Sequence, residues 1–168
     1  MTNKNLKLLL CAALSCTLSP SLLAQGPTTA THVPEVDIMT VFEHMGNTID
    51  QQIRVVDIGD EINVGVGILQ RKGTRTEGEE VNAIVHHRMT EVYYVLSGSG
   101  TLVTGGEQSS PREFPADNIS VVELIGPSGS RVVVNGQTKT ISTGDVVIIP
   151  AGVPHGFRNI QDQITYLS

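Results

Sequence analysis

Two stretches of the chain hold the side chains best suited to chemistry. One is Gly144 to Asn159, GDVVIIPAGVPHGFRN, with a single histidine, His155. The other is Val85 to Gly98, VHHRMTEVYYVLSG, with His86, His87, Glu91 and Tyr93. An imidazole can ligate a metal or carry a proton near neutral pH, and it serves equally well as a packed or capping group. The setting of His155 narrows this. The run Asp145 to Ile149, apolar and β-branched after its aspartate, suits a strand buried on both faces. Pro150, Gly152 and Pro154 then stiffen the turn, and His155 leaves it at the start of a second strand, able to point into whatever cavity that strand borders.

The elements that must position these residues are mostly strands. With 168 residues there is room for one domain with a real core, and the chain has 17 glycines, 8 prolines and no tryptophan. Residues 34–46 can form one short helix, with Pro34 at its start, Gly46 at its end, and Val36, Ile38, Met39, Phe42 and Met45 near one face. From Gln51 onward the pattern is strand and turn. Strands are expected at 52–58, 62–70, 81–87, 91–96, 101–104, 131–134, 137–141 and 163–167, with a further short one at 119–124 inside a surface loop spanning 107–130. Asn135-Gly136 is the strongest short hairpin signal. Strands this short and evenly spaced imply an antiparallel sandwich or barrel.

Residues 1–24 read as a secretory signal peptide: Lys4 and Lys7, an apolar run from Leu8 to Leu23, then Ala24 before Gln25. Residues 25–33 follow as a flexible leader, and 34–168 as a single domain. Both cysteines, Cys11 and Cys16, lie in the signal, so the mature chain offers neither a disulfide nor a catalytic thiol. The formal charge is −6, and loss of Lys4 and Lys7 leaves nine basic against seventeen acidic residues, a charge of −8. A chain so acidic, with no basic run, has no electrostatic footprint for nucleic acid or anionic lipid. The expected product is exported, periplasmic or secreted, and not inserted in a membrane.

The spacing Gly144-x5-Pro150-x-Gly152-x2-His155-x3-Asn159 resembles the second signature motif of the cupin superfamily at every fixed position. The first cupin motif, G-x5-H-x-H-x3–4-E-x6-G, is matched in its back half by Glu91 and Gly98. The resemblance extends over residues 65–167. It implies an all-β, cupin-type antiparallel barrel, a double-stranded β-helix or jelly roll, preceded by one short helix. Such barrels usually hold a divalent metal on three histidines and one glutamate. Carried over position by position, His155 and Glu91 are two of these ligands. With the longer motif spacing His86 is the third and Ile84 stands at the fourth; with the shorter spacing they are His87 and Val85. Alternate side chains face opposite sides of a strand, so His86 and His87 are alternatives unless a bulge turns both inward. His86 leaves the more comfortable turn.

Two histidines and one carboxylate suit iron, manganese or zinc with coordination positions left open. Tyr93 and Val95 share a strand face with Glu91, and Phe157 shares one with His155, so these three are expected to line the pocket, with Tyr93 a candidate proton donor. Tyr94 faces out. Arg88 is placed on an exposed turn, and His32 and His44 are read as solvated. The expected partner is a small-molecule ligand or substrate, and the resemblance also admits a homodimer through the barrel's outer sheet. A non-catalytic barrel that captures a small ligand without metal is the competing reading.

Overall fold

A computed structural model describes residues 28–168; the signal peptide expected at 1–24 lies outside the described residues. Thr28 to Val33 have no helix or strand and line a groove with Val56, Ile58, Val64 and Val66. Helix α1, Glu35–His44, follows Pro34. Its apolar face is shallowly seated: Val36 is 67% exposed and Met39 39%, and only Met45, just past the helix, is buried. The helix rests on the sheet as a cover and contributes little core.

Strands β1, Asp50–Gly59, and β2, Ile62–Arg75, form a hairpin whose tip carries Asp60 and Glu61 at positive φ. Then come β3, Val81–His86; β4, Glu91–Thr104; β5, Glu107–Glu113; a single π-helical turn at Val121–Ile125; β6, Ser128–Val134; β7, Gln137–Ser142; β8, Val146–Ile149; and β9, His155–Leu167. The described strands run in the order β1-β2-β9-β3-β6-β5, while β4 pairs with β7, β8 and β9, all antiparallel. This is the rolled, jelly-roll sheet expected.

Four local expectations need correction. The strands expected at 91–96 and 101–104 are one continuous β4, and His155 to Leu167 is likewise one strand. The span 107–130 is more ordered than a loop: it holds β5 and the start of β6, and a helical turn stands at 121–125 where a strand was expected. Polar β5 escapes a hydrophobic-pattern reading because all seven of its residues are exposed. Asn135-Gly136 makes a tight turn, with Asn135 at φ 55°, but not a hairpin: β6 pairs with β3 and β5, whereas β7 pairs with β4. The turn carries the chain between layers beside the turn at Gly105-Gly106, where a side chain on Gly106 would run into Gly136. Finally, β8 is not covered on both faces, since Val146 and Ile148 are exposed and Ile149 is buried.

The core is built from Leu69, Tyr93, Val95, Leu102, Ile141, Ile149, Ile160, Ile164 and Tyr166. It comes mainly from β4 and β9, the strands that carry Glu91 and His155.

Candidate metal centre

His86 ends β3, Glu91 begins β4 and His155 begins β9. Residues 87–90 form the turn that brings the first two side by side. His155 sits between two neighbours in register, Ile84 of β3 and Thr104 of β4. The turn before it is tied to the first motif directly, because Gly152 N–H donates to the carbonyl of His86 at 2.8 Å. Gly152 adopts φ 82°, which glycine tolerates and other residues resist. The proline-glycine turn thus fixes His155 relative to His86 by a backbone bond as well as by the sheet.

All three side chains are buried. Glu91 Oε2 lies 2.9 Å from His155 Nε2 and 3.3 Å from His86 Nε2, and one donor atom from each residue falls within 4.8 Å of the others. The far sides of both rings are held. His155 Nδ1 is 3.1 Å from the Val153 carbonyl, which can only accept, so Nδ1 donates. His86 Nδ1 is 2.7 Å from Ser128 Oγ and 3.1 Å from the Ile125 carbonyl, while the Ser128 hydroxyl is within bonding distance of the carbonyls of Ile125 and Gly126. A proton on each Nδ1 satisfies these groups and leaves both Nε2 atoms turned towards Glu91, where each can meet the carboxylate with a proton or a cation with its lone pair. Anchoring of the outer ring nitrogen in this way is the usual arrangement around metal-binding histidines.

His155 Nε2 has no hydrogen-bond partner, although it lies 2.9 Å from the carboxylate, because that contact is off the hydrogen-bond axis. A buried polar atom without a partner is costly. Burial alone would push the Glu91 carboxyl up, but the imidazoles of His155 and His86 outweigh it and hold the group well below the usual carboxylate range. Glu91 is therefore ionised at neutral pH, with Ser168 Oγ donating to Oε1 at 3.2 Å and Tyr93 O–H to Oε2 at 3.4 Å. Two lone pairs and a carboxylate converge in a buried space, a set that a divalent cation would satisfy.

The family model described as "Cupin domain" matches residues 129–167, from β6 to the end of β9, which includes the whole Gly144–Asn159 stretch. Over these residues the chain is similar to a cupin domain. No curated protein matches the chain. The match stops short of His86 and Glu91, so their place in the site rests on the geometry above.

The two adjacent histidines part company. His86 points inward, and His87 points out, where its Nε2 lies 2.6 Å from Glu113 Oε2 and shares that carboxylate with Arg131. Ile84, one strand repeat before His86, lines the adjoining cavity, so the position beside His155 presents an apolar wall. That cavity has a volume of about 580 Å³, and Tyr93, His155 and Phe157 line it. Val95 does not line it; it is fully buried in the core beneath. A second space of about 240 Å³ opens on the Glu91 side, bordered by Asp50, Thr90 and Ser168. Burial and, next, the Glu91 charge push the Asp50 carboxyl up.

Three further residues at the site escaped sequence reasoning. Arg71 and Lys72 line the large cavity, but they lie beyond Gln70, where the apolar pattern of β2 ends while the strand continues to Arg75. Ser128, which orients His86, fell inside the span read as loop. Arg88, His32 and His44 are exposed.

Proposed function

We propose that this chain is a cupin throughout its described length, that it holds one divalent ion, iron, manganese or zinc, on His86, Glu91 and His155, and that it acts on a small oxygenated molecule by oxygenation, isomerisation or lyase chemistry. The observation that carries the reading is the buried, unpartnered Nε2 of His155 facing the ionised Glu91 and the Nε2 of His86. With three protein donors, such an ion would keep open positions and could polarise a bound oxygen or lower the pKa of a bound water. The protein's own contributions are distinct. His86 and His155 are orientated by Ser128 and the Val153 carbonyl. Tyr93, whose hydroxyl burial pushes well above the ordinary range, remains a hydrogen-bond donor through the physiological pH range. Phe157 and Ile84 give one side of the cavity an apolar wall.

The test is elemental analysis of protein purified without a metal-binding tag, beside the Glu91→Ala/His155→Ala double variant. About one equivalent of metal in the wild type and none in the variant is expected. A metal-free wild type that takes up none of the three metals on titration would overturn the reading. It would instead favour a barrel that captures a small ligand without turnover, the reading supported by Ile84 at the fourth ligand position. We also propose that the protein is exported, on the strength of the basic, apolar and small-residue order of residues 1–24. Among the described residues no helix is long and apolar enough to cross a membrane.

A further inference from the structure

We propose that Arg71 is the substrate-recognition residue of this site and that the molecule taken into the large cavity is a small organic acid bound through its carboxylate. The proposal deepens the reading above, on which it rests for the identity of the site. The 580 Å³ cavity is lined by two cations, Arg71 and Lys72, and by no aspartate or glutamate, in a protein of formal charge −6. Its volume suits a small ligand.

The two cations are not equivalent. Lys72 Nζ donates to Asn47 Oδ1 at 2.9 Å, near the mouth. Arg71 is anchored at one end only: its Nε donates to the buried hydroxyl of Tyr166 at 2.8 Å, and the guanidinium carbon stands 5.8 Å from the centre of the Phe157 ring. Among the described residues no ion pair involves Arg71, and no hydrogen bond involves its Nη atoms. Its outer edge is thus a planar pair of N–H donors with no protein acceptor, set in a cavity wall that also carries His155 and Tyr93. Two parallel donors match the two oxygens of a carboxylate. With Lys72 exposed and held by Asn47, the fork of Arg71 is the planar donor pair inside the cavity, and a flat carboxylate is its best match. Tyr166, which holds the arginine, packs on Tyr93 with ring centroids 4.4 Å apart, and Tyr93 reaches Glu91. The acid-binding end and the metal-binding end therefore share one rigid aromatic wall.

Binding is measured by calorimetry on the full mature chain, metal-free and metal-loaded. The probes are propionate, benzoate, their primary amides and inorganic phosphate. In the metal-free wild type a carboxylate is expected to bind more tightly than its amide and than phosphate. Arg71→Gln should weaken the carboxylate by about 10–100-fold, the range lost with a charge-assisted bond, and leave the amide unchanged. Arg71→Lys, which keeps the charge but not the fork, should fall between and carries the test if the glutamine variant fails to fold. Metal content should be the same in all three proteins. The assignment is overturned if neither carboxylate binds the wild type, if amide or phosphate binds as tightly as the acid, or if Arg71→Gln and Arg71→Lys both retain wild-type carboxylate affinity. Because the anion measurement is made without metal, a chain that binds acids but no metal would leave Arg71 standing and remove the metal reading instead.

Discussion

Ser128 touches no substrate cavity, yet it governs the orientation of His86. Its hydroxyl is a relay: it accepts from Nδ1 and donates to a carbonyl of the Ile125–Gly126 turn. Without it, the His86 ring keeps only the longer contact to the Ile125 carbonyl and gains freedom to rotate or change tautomer. Ser128→Ala should therefore weaken metal binding by about 10–100-fold, as loss of such an outer partner does elsewhere, with little change in fold. Competition against a chelator of known affinity reads this directly, and circular dichroism checks the fold. An unchanged metal affinity would show that the Ile125 carbonyl alone suffices. At this scale the residue types were readable from the chain and their surroundings were not. Strand alternation explains why His86 and His87 face apart, and motif spacing places Ile84 where a ligand would otherwise stand. Nothing in the residues from 107 to 130 marks Ser128 as the partner of a histidine 42 positions earlier, because that contact exists only once β3 and β6 pair.

Strand β4 shows how one residue can shape an element. Gly98 sits in the middle of a strand at φ 77°, and a Cβ there would lie 1.9 Å from the carbonyl oxygen of Gln163 in β9. The register with β9 shifts on both sides of it, so the strand bends there and passes from pairing with β8 to pairing with β7. Gly98→Val should cost at least the ~1–3 kcal/mol of a strained left-handed residue, with the backbone clash in addition. A thermal midpoint lower by about 5 °C or more is expected for a chain of this size. Gly144→Ala makes a useful comparison: φ is positive there too, at 90°, but nothing lies within 4 Å of the added carbon, so its loss should be smaller. Equal losses would show that backbone strain, not β9 packing, sets the requirement. The same glycine explains why the sequence suggested two strands where there is one: Gly98-Ser99-Gly100 looks like a turn until the partner that needs the close approach is in place. Conversely, Asn135-Gly136 looked like a hairpin and turned correctly, but its flanking strands found partners in other layers. Local signals specified the turns, and long-range pairing decided which strands they joined.

Over the whole molecule, four of the exposed apolar side chains gather on one outer sheet face. Val92 and Tyr94 of β4 stand opposite Ile148 and Val146 of β8 in the ladder, and all four are roughly half or more exposed. On the opposite face of the same strands, Glu91, Tyr93 and Ile149 are buried. Four neighbouring apolar groups on an outer sheet face form a surface that a second copy of this chain could cover, the assembly we propose. Sedimentation analysis is expected to give twice the monomer mass for the wild type and a monomer for Tyr94→Glu/Ile148→Glu, with metal content unaltered. A monomeric wild type at micromolar concentration would dispose of the dimer.

The strand that carries His155 has a consequence in time as well as in space. β9 pairs with β2, β3 and β4 together, so three strands made earlier wait for thirteen residues made well after them. Until those arrive, the nascent chain exposes unpaired strand edges and has two of its three donor side chains in place with nothing to close the set. Folding must therefore be dominated by slow, distant closures, and the interval before closure is when such a chain is most open to sticking to its neighbours.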